Sequence, residues 1–244
     1  SPLGTDGRRG VGRRARRPVL IRSIGIVVPA RNEQQRLPAC LSAIRTSACR
    51  PGMPPVRIIV VVDDSTDDTA RVAAAAGAEI LVSNLRNAGA ARAAGFDRLT
   101  RTATVPLREL WLATTDADSR VPPHWLDRQM EWRSHGWDAV VGTVVVEDWS
   151  DHRPETQRRF SQHYGPSRDG HPHVHGANLG LSAAAYCQVG GFPPVEVAED
   201  HALVMALSRS GSRIARPGGL PVVTSARRDP RAHHGFGSLL CSMD

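Results

Sequence analysis

Short apolar segments alternate with segments of helical periodicity along most of the chain, and this alternation restricts the fold more than any other feature. Residues 58–62 read Ile-Ile-Val-Val-Val. A strand that is apolar and β-branched at every position has both faces covered, as in a parallel sheet between helices. Residues 24–28 form a similar segment, which ends at Pro29 because proline has no N–H for a ladder hydrogen bond. The alternation predicts an α/β protein with a mainly parallel sheet and helices on both faces.

The remaining apolar runs and breaker residues extend this pattern to about residue 224. Strands are predicted at residues 24–28, 58–62, 79–82, 110–115, 139–146 and 222–224. Helices are predicted at residues 37–44, 66–77, 88–99, 122–135, 183–189 and 200–210. Residues 147–177 are polar and rich in His, Arg, Gly and Pro, and they are predicted to form a long mobile segment, since loops of this length are usually functional or disordered.

Positive charge is concentrated at the N-terminus. Residues 1–18 hold six arginines and one aspartate, whereas the other 226 residues carry 25 arginines and 23 acidic residues. A basic disordered tail is therefore predicted at residues 1–20, a single domain at residues 21–230 and a C-terminal tail at residues 231–244. The N-terminal tail is a candidate for peripheral contact with anionic lipid or RNA. The near-neutral remainder argues against a broad, specific nucleic-acid surface.

The cysteines and the hydropathy favour a soluble cytoplasmic protein. No pair of cysteines has C-x-x-C spacing, which argues against a zinc site or a disulfide framework and fits a reducing compartment. No apolar run approaches the ~20 residues that a membrane-spanning helix needs. The four cysteines are Cys40, Cys49, Cys187 and Cys241.

Segments that carry polar residues follow three of the predicted strands, at residues 29–33, 63–65 and 116–118. The carboxyl ends of parallel strands meet at one edge of a sheet, where ligands bind. Asp116 and Asp118 are two positions apart, and side chains at that spacing point the same way along an extended strand. Two hard oxygen ligands on short side chains suit Mg²⁺ or Mn²⁺ carrying a diphosphate. For each aspartate alone, a helix cap or a turn is the alternative.

Seven motifs, in order along the chain, resemble those of the family 2 glycosyltransferases of the GT-A fold. They are VVPARNE, VVVDDSTDDT, RNAGAARAAG, TDADS, HGANLGLS, GGF and AEDHAL, within residues 24–225. The resemblance implies a GT-A, Rossmann-like sheet with a small acceptor-side subregion. It also implies an enzyme that moves a sugar from a nucleotide sugar, most often a UDP-sugar in this family, to an acceptor. The nucleotide-binding half would span about residues 21–120 and the acceptor half about residues 121–230.

The resemblance implies roles for the matching donor-side residues. Asp118, with Asp116, would coordinate a Mg²⁺ or Mn²⁺ ion that bridges the diphosphate and neutralises charge on the leaving group. Arg92 is either a cation on the phosphate side or part of a solvated helix face. The residues expected to border the nucleotide sugar are Pro29, Ala30, Arg31, Glu33, Asp63, Asn87, Arg92, Asp116 and Ala117.

On the acceptor side, the pair Glu199 and Asp200 would supply the catalytic base, with Asp200 as the first choice. A carboxylate there would take the proton of an acceptor hydroxyl, which implies inversion at the anomeric carbon. The alternative is that Asp200 caps a helix of residues 201–210 and that Glu199 is an exposed neighbour. The segment matching the family's acceptor side consists of His175, Gly176, Ala177 and Asn178.

Two groups of histidines are further candidates. His171, His173 and His175 alternate as metal ligands on an extended strand would, although surface histidines in a polar loop are commoner. His233 or His234 is a candidate metal ligand, because related enzymes often place a histidine near the C-terminus.

A motif that is absent defines the expected reaction more closely. The chain lacks the Gln-x-x-Arg-Trp motif of processive polysaccharide synthases, which implies transfer of one sugar to a small-molecule, glycan or lipid acceptor. A nucleotidyltransferase or a dinucleotide dehydrogenase would need a Gly-rich loop after a strand, and none is present. The non-enzyme alternative is a basic nucleic-acid- or membrane-surface-binding protein with a non-catalytic nucleotide-binding fold, which depends on the N-terminal tail alone. The oligomeric state is left open.

Overall fold

The computed structural model describes residues 19–166, 168–228, 240 and 242–243. The predictions for the N-terminal tail and for His233 and His234 therefore fall on residues outside the described part, apart from residues 19 and 20. The strands are β1 (Ser23–Ala30), β2 (Val56–Asp63), β3 (Glu79–Ser83), β4 (Leu110–Thr114), β5 (Ala139–Val141), β6 (Thr143–Val146), β7 (Leu179–Ser182), β8 (Ile214–Ala215) and β9 (Pro221–Thr224). The α-helices are α1 (Leu37–Ala48), α2 (Thr69–Ala75), α3 (Ala88–Arg101), α4 (Trp125–Ser134), α5 (Pro154–Tyr164), α6 (Ala183–Gln188) and α7 (Glu199–Arg209).

Seven strands form the main sheet in the order β3-β2-β1-β4-β7-β5-β8. β1 pairs parallel with β2 and β4, and β2 pairs parallel with β3, whereas β7 runs antiparallel to β4 and β5. The predicted α/β fold with a mainly parallel sheet is confirmed. The strand order reverses between β1 and β4, and ligands of such sheets bind beyond the carboxyl ends of the strands at that point. The segments that begin at Arg31 and Thr115 lie there.

The central strands are apolar at every position because they separate two apolar layers. Ile26 and Val28 of β1 pack in the layer that includes residues of α1 and α4. Val27, between them in sequence, lies on the other face with Phe96 and Leu99 of α3. Each face of the sheet is therefore covered by helices, as the continuous apolar runs predict. No helix of the described part is long and apolar enough to cross a bilayer.

The predicted strand at residues 139–146 is two strands, because the chain changes sheet at Gly142. β5 belongs to the main sheet, whereas β6 pairs parallel with β9 in a separate two-stranded sheet. A β-carbon at position 142 would lie 2.2 Å from the Asn178 amide nitrogen, so only glycine leaves room for that side chain. The buried Asn178 amide donates to the carbonyls of Thr143 and Leu220, at 2.8 and 2.6 Å, and holds the junction.

The prediction of a long mobile segment at residues 147–177 is wrong over α5. This helix begins at Pro154, where a proline costs no hydrogen bond. Thr156, Phe160 and Tyr164 are its buried residues, and their spacing of four places them on one face of the helix. That face packs against the two-stranded sheet, in a cluster that includes Val144. Helix α5, β6 and β9 form a small subregion beside the main sheet.

Candidate active site

The loops after β1 and β2 are joined by side-chain-to-backbone hydrogen bonds. The Asn32 N–H donates to Ser65 Oγ at 3.0 Å, and the Thr66 N–H donates to Asn32 Oδ1 at 2.8 Å. Arg31 forms an ion pair with Asp64 at 2.9 Å. Asn32 and Asp64 both have positive φ, 53° and 49°, a conformation that non-glycine residues rarely adopt. The loop after β1, which follows Pro29 and Ala30, and the loop after β2 thus form one preorganised rim of the site.

Asp63 and Asn87 shape the loop that leads into α3. Asp63 is buried, and its carboxylate accepts hydrogen bonds from the N–H groups of Leu85 and Asn87, at 2.6 and 3.1 Å. Asn87 caps α3 by accepting the Ala90 N–H at 2.8 Å, and its Nδ2 donates to the Glu196 carbonyl at 3.1 Å. Both residues lie at the predicted edge of the sheet. Their contact with a nucleotide stays a prediction.

Asp116 and Asp118 follow β4 at the point where the strand order reverses. Because β4 ends at Thr114, they lie in a loop and a turn rather than on an extended strand, and the buried Ala117 separates them. The Asp116 side chain is 35% exposed and the Asp118 side chain 13%. Burial raises the pKa of Asp118 to about 6 against the opposing charge of Arg227, and the charges of Asp116 and Glu33 add to the rise.

A buried arginine connects these aspartates to the start of α7. Arg92 is 5% exposed, and it forms ion pairs with Asp116, at 2.5 Å, and with Glu199. Burial lowers the pKa of Arg92, but the charges of Asp116, Glu199 and Asp200 outweigh burial and raise it. The interpretation of Arg92 as part of a solvated helix face is therefore wrong. Arg92 is a fixed cation between two carboxylates.

Two glycines give the Arg92–Glu199 pair its space. A β-carbon on Gly176 would lie 2.5 Å from Cζ of Arg92, and one on Gly89 would lie 2.4 Å from Cγ of Glu199. Contacts that short do not occur in folded proteins, so both positions require glycine unless the ion pair moves. The motifs RNAGAARAAG, HGANLGLS and AEDHAL thus meet at one point in the structure.

Asp200 lies in the first turn of α7, which begins at Glu199. It does not cap the helix: Ala198, in the left-handed conformation with φ 58°, takes the cap position. The Asp200 carboxylate accepts the Gly176 N–H at 2.7 Å through Oδ2 and the His201 N–H at 2.8 Å through Oδ1. Glu199 pairs with Arg92 and is not an exposed neighbour. The alternative interpretation of this pair is therefore wrong.

The acceptor-side segment divides into two parts. His175 contacts Tyr164 and Gly176 contacts Asp200, whereas Ala177 and Asn178 are buried and, within the described part of the chain, form no hydrogen bond with Asp116 or Asp200. The Asn178 carbonyl oxygen accepts the Trp125 indole N–H at 2.9 Å, and its amide nitrogen holds the β5–β6 junction. Of the four residues, Gly176 is therefore the one that contacts a carboxylate of the site.

The three alternating histidines stack instead of converging on a metal. The ring centroids of His171 and His173 are 5.6 Å apart and those of His173 and His175 are 6.2 Å apart, with the planes about 20° from parallel. Tyr164 stacks on His173 at 3.8 Å. Parallel rings do not aim their nitrogens at one point, and no group of three metal-binding side chains occurs among the residues that the structure describes.

Replacing His175 with glutamine should flatten the acid dependence of stability. Burial, aided by His173, lowers the pKa of His175 to about 4 against the opposing charge of Asp116. In the unfolded chain the pKa of His175 is about 6.5. The free energy of unfolding therefore has its full value, as far as this group is concerned, above pH 6.5, and it decreases by up to about 3 kcal/mol as the pH falls to 4. Urea unfolding between pH 7.5 and 4 measures it. His124→Gln, at an exposed position, should follow the wild type, and equal slopes for His175→Gln and the wild type would contradict the assignment.

Sequence reasoning missed one residue of the site. Arg227, which follows β9, contacts Glu33 at 2.6 Å and Asp118 at 3.3 Å. Glu33 is buried and faces this arginine. Arg227 belongs to none of the seven motifs, and it is 109 positions from Asp118 (227 − 118). No local pattern could have revealed the contact, because it joins residues that only the folded chain brings together.

Solved structures with a similar fold include proteins in complex with nucleotide sugars. Residues 1–349 of TarS from S. aureus, in complex with UDP-GlcNAc, superpose with a TM-score of 0.63 and 14% identity, covering 88% of this chain and 61% of that one. The mannosyltransferase PcManGT from Pyrobaculum calidifontis, in complex with GDP-Man and Mn²⁺, gives a TM-score of 0.62 and 19% identity, covering 93% and 70%. The fold is that of a GT-A glycosyltransferase.

The sequence profile described as Glycosyl transferase family 2 matches residues 25–186. The chain belongs to this family, as the seven motifs predict. A curated relative, the undecaprenyl-phosphate 4-deoxy-4-formamido-L-arabinose transferase of Serratia proteamaculans, is 35% identical over 131 residues. The match covers 51% of this chain and 37% of the relative, so the chain spans little more than a third of that enzyme's length.

Proposed function

We propose that this glycosyltransferase transfers one sugar, with inversion and with the help of a divalent cation, from a nucleotide sugar to an acceptor hydroxyl. One observation carries the proposal: Arg92 pairs with both Asp116 and Glu199. The loop with the donor-side carboxylates and the first turn of α7 therefore meet at one buried charge. Such an arrangement would put Asp200, the residue after Glu199 in the first turn of α7, next to the bond that breaks.

Asp116 and Asp118 are the residues that would hold Mg²⁺ or Mn²⁺. Each engages one carboxylate oxygen in an ion pair with an arginine, Oδ1 of Asp116 and Oδ2 of Asp118. Carboxylate oxygens suit both ions, and Mg²⁺ usually takes only one or two protein carboxylates beside phosphate oxygens and water. The donor set therefore fits such an ion. When bound, it would supply positive charge to the leaving diphosphate.

Asp200 is proposed as the base. The Gly176 N–H fixes its orientation through Oδ2. The carboxylate would accept the proton of the acceptor hydroxyl as that oxygen bonds to the anomeric carbon and the bond to the diphosphate oxygen breaks. Attack from the face opposite the leaving group inverts the configuration. His175 and Gly176 would border the acceptor, because Gly176 contacts Asp200 and His175 lies close enough to Asp116 to be affected by its charge.

The acceptor class is proposed from a relative. The Serratia enzyme is named for undecaprenyl phosphate, which is a lipid, and a lipid or glycan acceptor that presents a hydroxyl is proposed for this chain. The division of residues 21–230 into nucleotide-binding and acceptor halves, and a cytoplasmic location, stay predictions.

Thermal unfolding with UDP, GDP and TDP, each with and without Mn²⁺, tests the donor side. A nucleoside diphosphate at about 100 times its Kd stabilises the folded state by about 2.7 kcal/mol, which raises Tm by roughly 5–10 °C for a domain of this size. One nucleotide should produce this shift, and Mn²⁺ should enlarge it. Uridine, guanosine and thymidine serve as controls without phosphate. No shift with any diphosphate would refute the proposed function, and a shift indifferent to Mn²⁺ would refute its metal dependence.

A further inference from the structure

Arg227 places a positive charge between two carboxylates of the donor side. Its Nη1 lies 2.6 Å from Glu33 Oε1, and its Nη2 lies 3.3 Å from Asp118 Oδ2. The side chains of Arg227 and Glu33 are 14% and 4% exposed, so this contact is shielded from water. Shielding strengthens an ion pair of good geometry, and it makes an uncompensated charge costly.

The fold holds Arg227 at this point by contacts other than the ion pairs. The backbone of β9 pairs with the turn that carries Asp118: the Arg120 N–H donates to the Val223 carbonyl at 2.7 Å, and the Val223 N–H donates back at 3.0 Å. Ser119 and Thr224 hydroxyls are 2.9 Å apart. The buried Ala226 accepts a hydrogen bond from His152. Arg227 therefore stays beside the aspartates whether or not it contacts Asp118.

The two contacts of Arg227 differ in strength. Glu33 is fixed at its backbone, where its N–H donates to Thr69 Oγ1 at 2.8 Å, and its carboxylate lies at close range to Nη1. The contact with Asp118 is longer and is made by the other terminal nitrogen. A guanidinium has five N–H donors in a planar fork, so two contacts leave donors for a further anion. Glu33 thus acts as the anchor, and Nη2 is the nitrogen that can change partner.

We propose that Arg227 binds the diphosphate of the donor, which rests on the proposed function because the ligand is a nucleoside diphosphate. Glu33 keeps the guanidinium in position, and Nη2 exchanges Asp118 for a phosphate oxygen, a partner that arginine recognises well. The chain thereby contributes its own cation to the leaving-group site. Part of the affinity for a nucleoside diphosphate then persists without any divalent ion. The competing interpretation is that Arg227 blocks Asp118 until a metal ion displaces it.

Isothermal titration of UDP and GDP into the full chain in EDTA, and then in Mn²⁺, separates these interpretations. Arg227→Gln should weaken binding of the preferred diphosphate in EDTA by about 10- to 100-fold, the loss of a charge-assisted hydrogen bond. Arg227→Lys, which keeps the charge, should retain part of the affinity. Uridine and guanosine should bind all variants alike. Arg158→Gln is the matched control, because Arg158 pairs with Glu155 on the exposed side of α5.

Three results would overturn the inference. If Arg227→Gln binds the diphosphate as tightly as the wild type, or more tightly, Arg227 does not bind phosphate, and a tighter complex indicates a blocking role. If the variant loses affinity for the nucleoside as much as for the diphosphate, the arginine supports the fold of the site. If the wild type binds neither diphosphate in EDTA or in Mn²⁺, the proposed function itself fails and the role of Arg227 falls with it.

Discussion

Asp118→Asn should reduce sugar transfer by about 10³-fold or more and remove the Mn²⁺-dependent part of nucleoside diphosphate binding. A metal ion at a leaving group contributes several kcal/mol, and each 1.4 kcal/mol is a factor of ten. The amide preserves the shape of the side chain but lacks the negative charge that holds the ion. Nucleoside diphosphate release in a transfer assay measures the first effect, and titration calorimetry with Mn²⁺ against EDTA measures the second.

The same variant should remain folded at pH 7.5. Burial raises the pKa of Asp118 to about 6, above its unfolded value near 3.9, so the ionised carboxylate is on balance disfavoured in the folded state. The ionised carboxylate therefore lowers the stability of the folded state above pH 6, and this effect disappears as the pH falls toward 4. The neutral amide of asparagine does not have this effect. Asp148→Asn, at an exposed position, is the matched control and should keep full activity. Undiminished Mn²⁺-enhanced UDP or GDP affinity in Asp118→Asn would show that the metal binds elsewhere.

Asp200→Asn should lower kcat by about 10²- to 10⁴-fold, the usual contribution of a general base, and leave nucleoside diphosphate affinity close to normal. Asparagine can still accept the Gly176 N–H, so the first turn of α7 keeps its place. It cannot take a proton. Steady-state kinetics together with calorimetry separate the two effects. Glu199→Gln is the useful comparison, because it breaks the ion pair with Arg92 and should therefore disturb donor binding as well as turnover.

The size of the Asp200→Asn effect also identifies the acceptor class. A hydroxyl must lose its proton during the attack, whereas a phosphate group already carries between one and two negative charges at pH 7. A phosphate acceptor of the kind for which the Serratia relative is named needs no base. Full turnover in Asp200→Asn would therefore reject Asp200 as the base and favour an acceptor that arrives ionised.

The sequence predicted the parts of the fold that local patterns determine. The runs at residues 24–28 and 58–62 are apolar throughout because helices cover both faces of the strands, and that relation holds without knowledge of the rest of the chain. The parallel order then places the polar residues after β1, β2 and β4 at one edge of the sheet. The link between these residues and Asp200 came from the resemblance to the family, since spacing alone left each aspartate open to a role in a cap or turn.

Most of the missed features depend on contacts between distant residues, and helix α5 is the exception. Arg92 lies in an alanine-rich helix that gives no sign of burial, and one of its two carboxylate partners, Glu199, is 107 positions away. Helix α5 did carry a signal, since Thr156, Phe160 and Tyr164 recur every four residues, but the polar residues around them obscured it. The division of the predicted strand at Gly142 cannot be predicted from the local sequence, because it depends on the position of the Asn178 amide beside that glycine.

The ion pair between Arg92 and Glu199 has a consequence for chimaeric enzymes. A graft that exchanges the C-terminal portion of this chain for that of a relative, in order to change the acceptor, would separate the arginine from Glu199 and from the glycine that makes room for it. Residues in direct contact have non-additive effects. Such recombinants should therefore recover activity only when Arg92, Gly176 and Glu199 descend from the same parent.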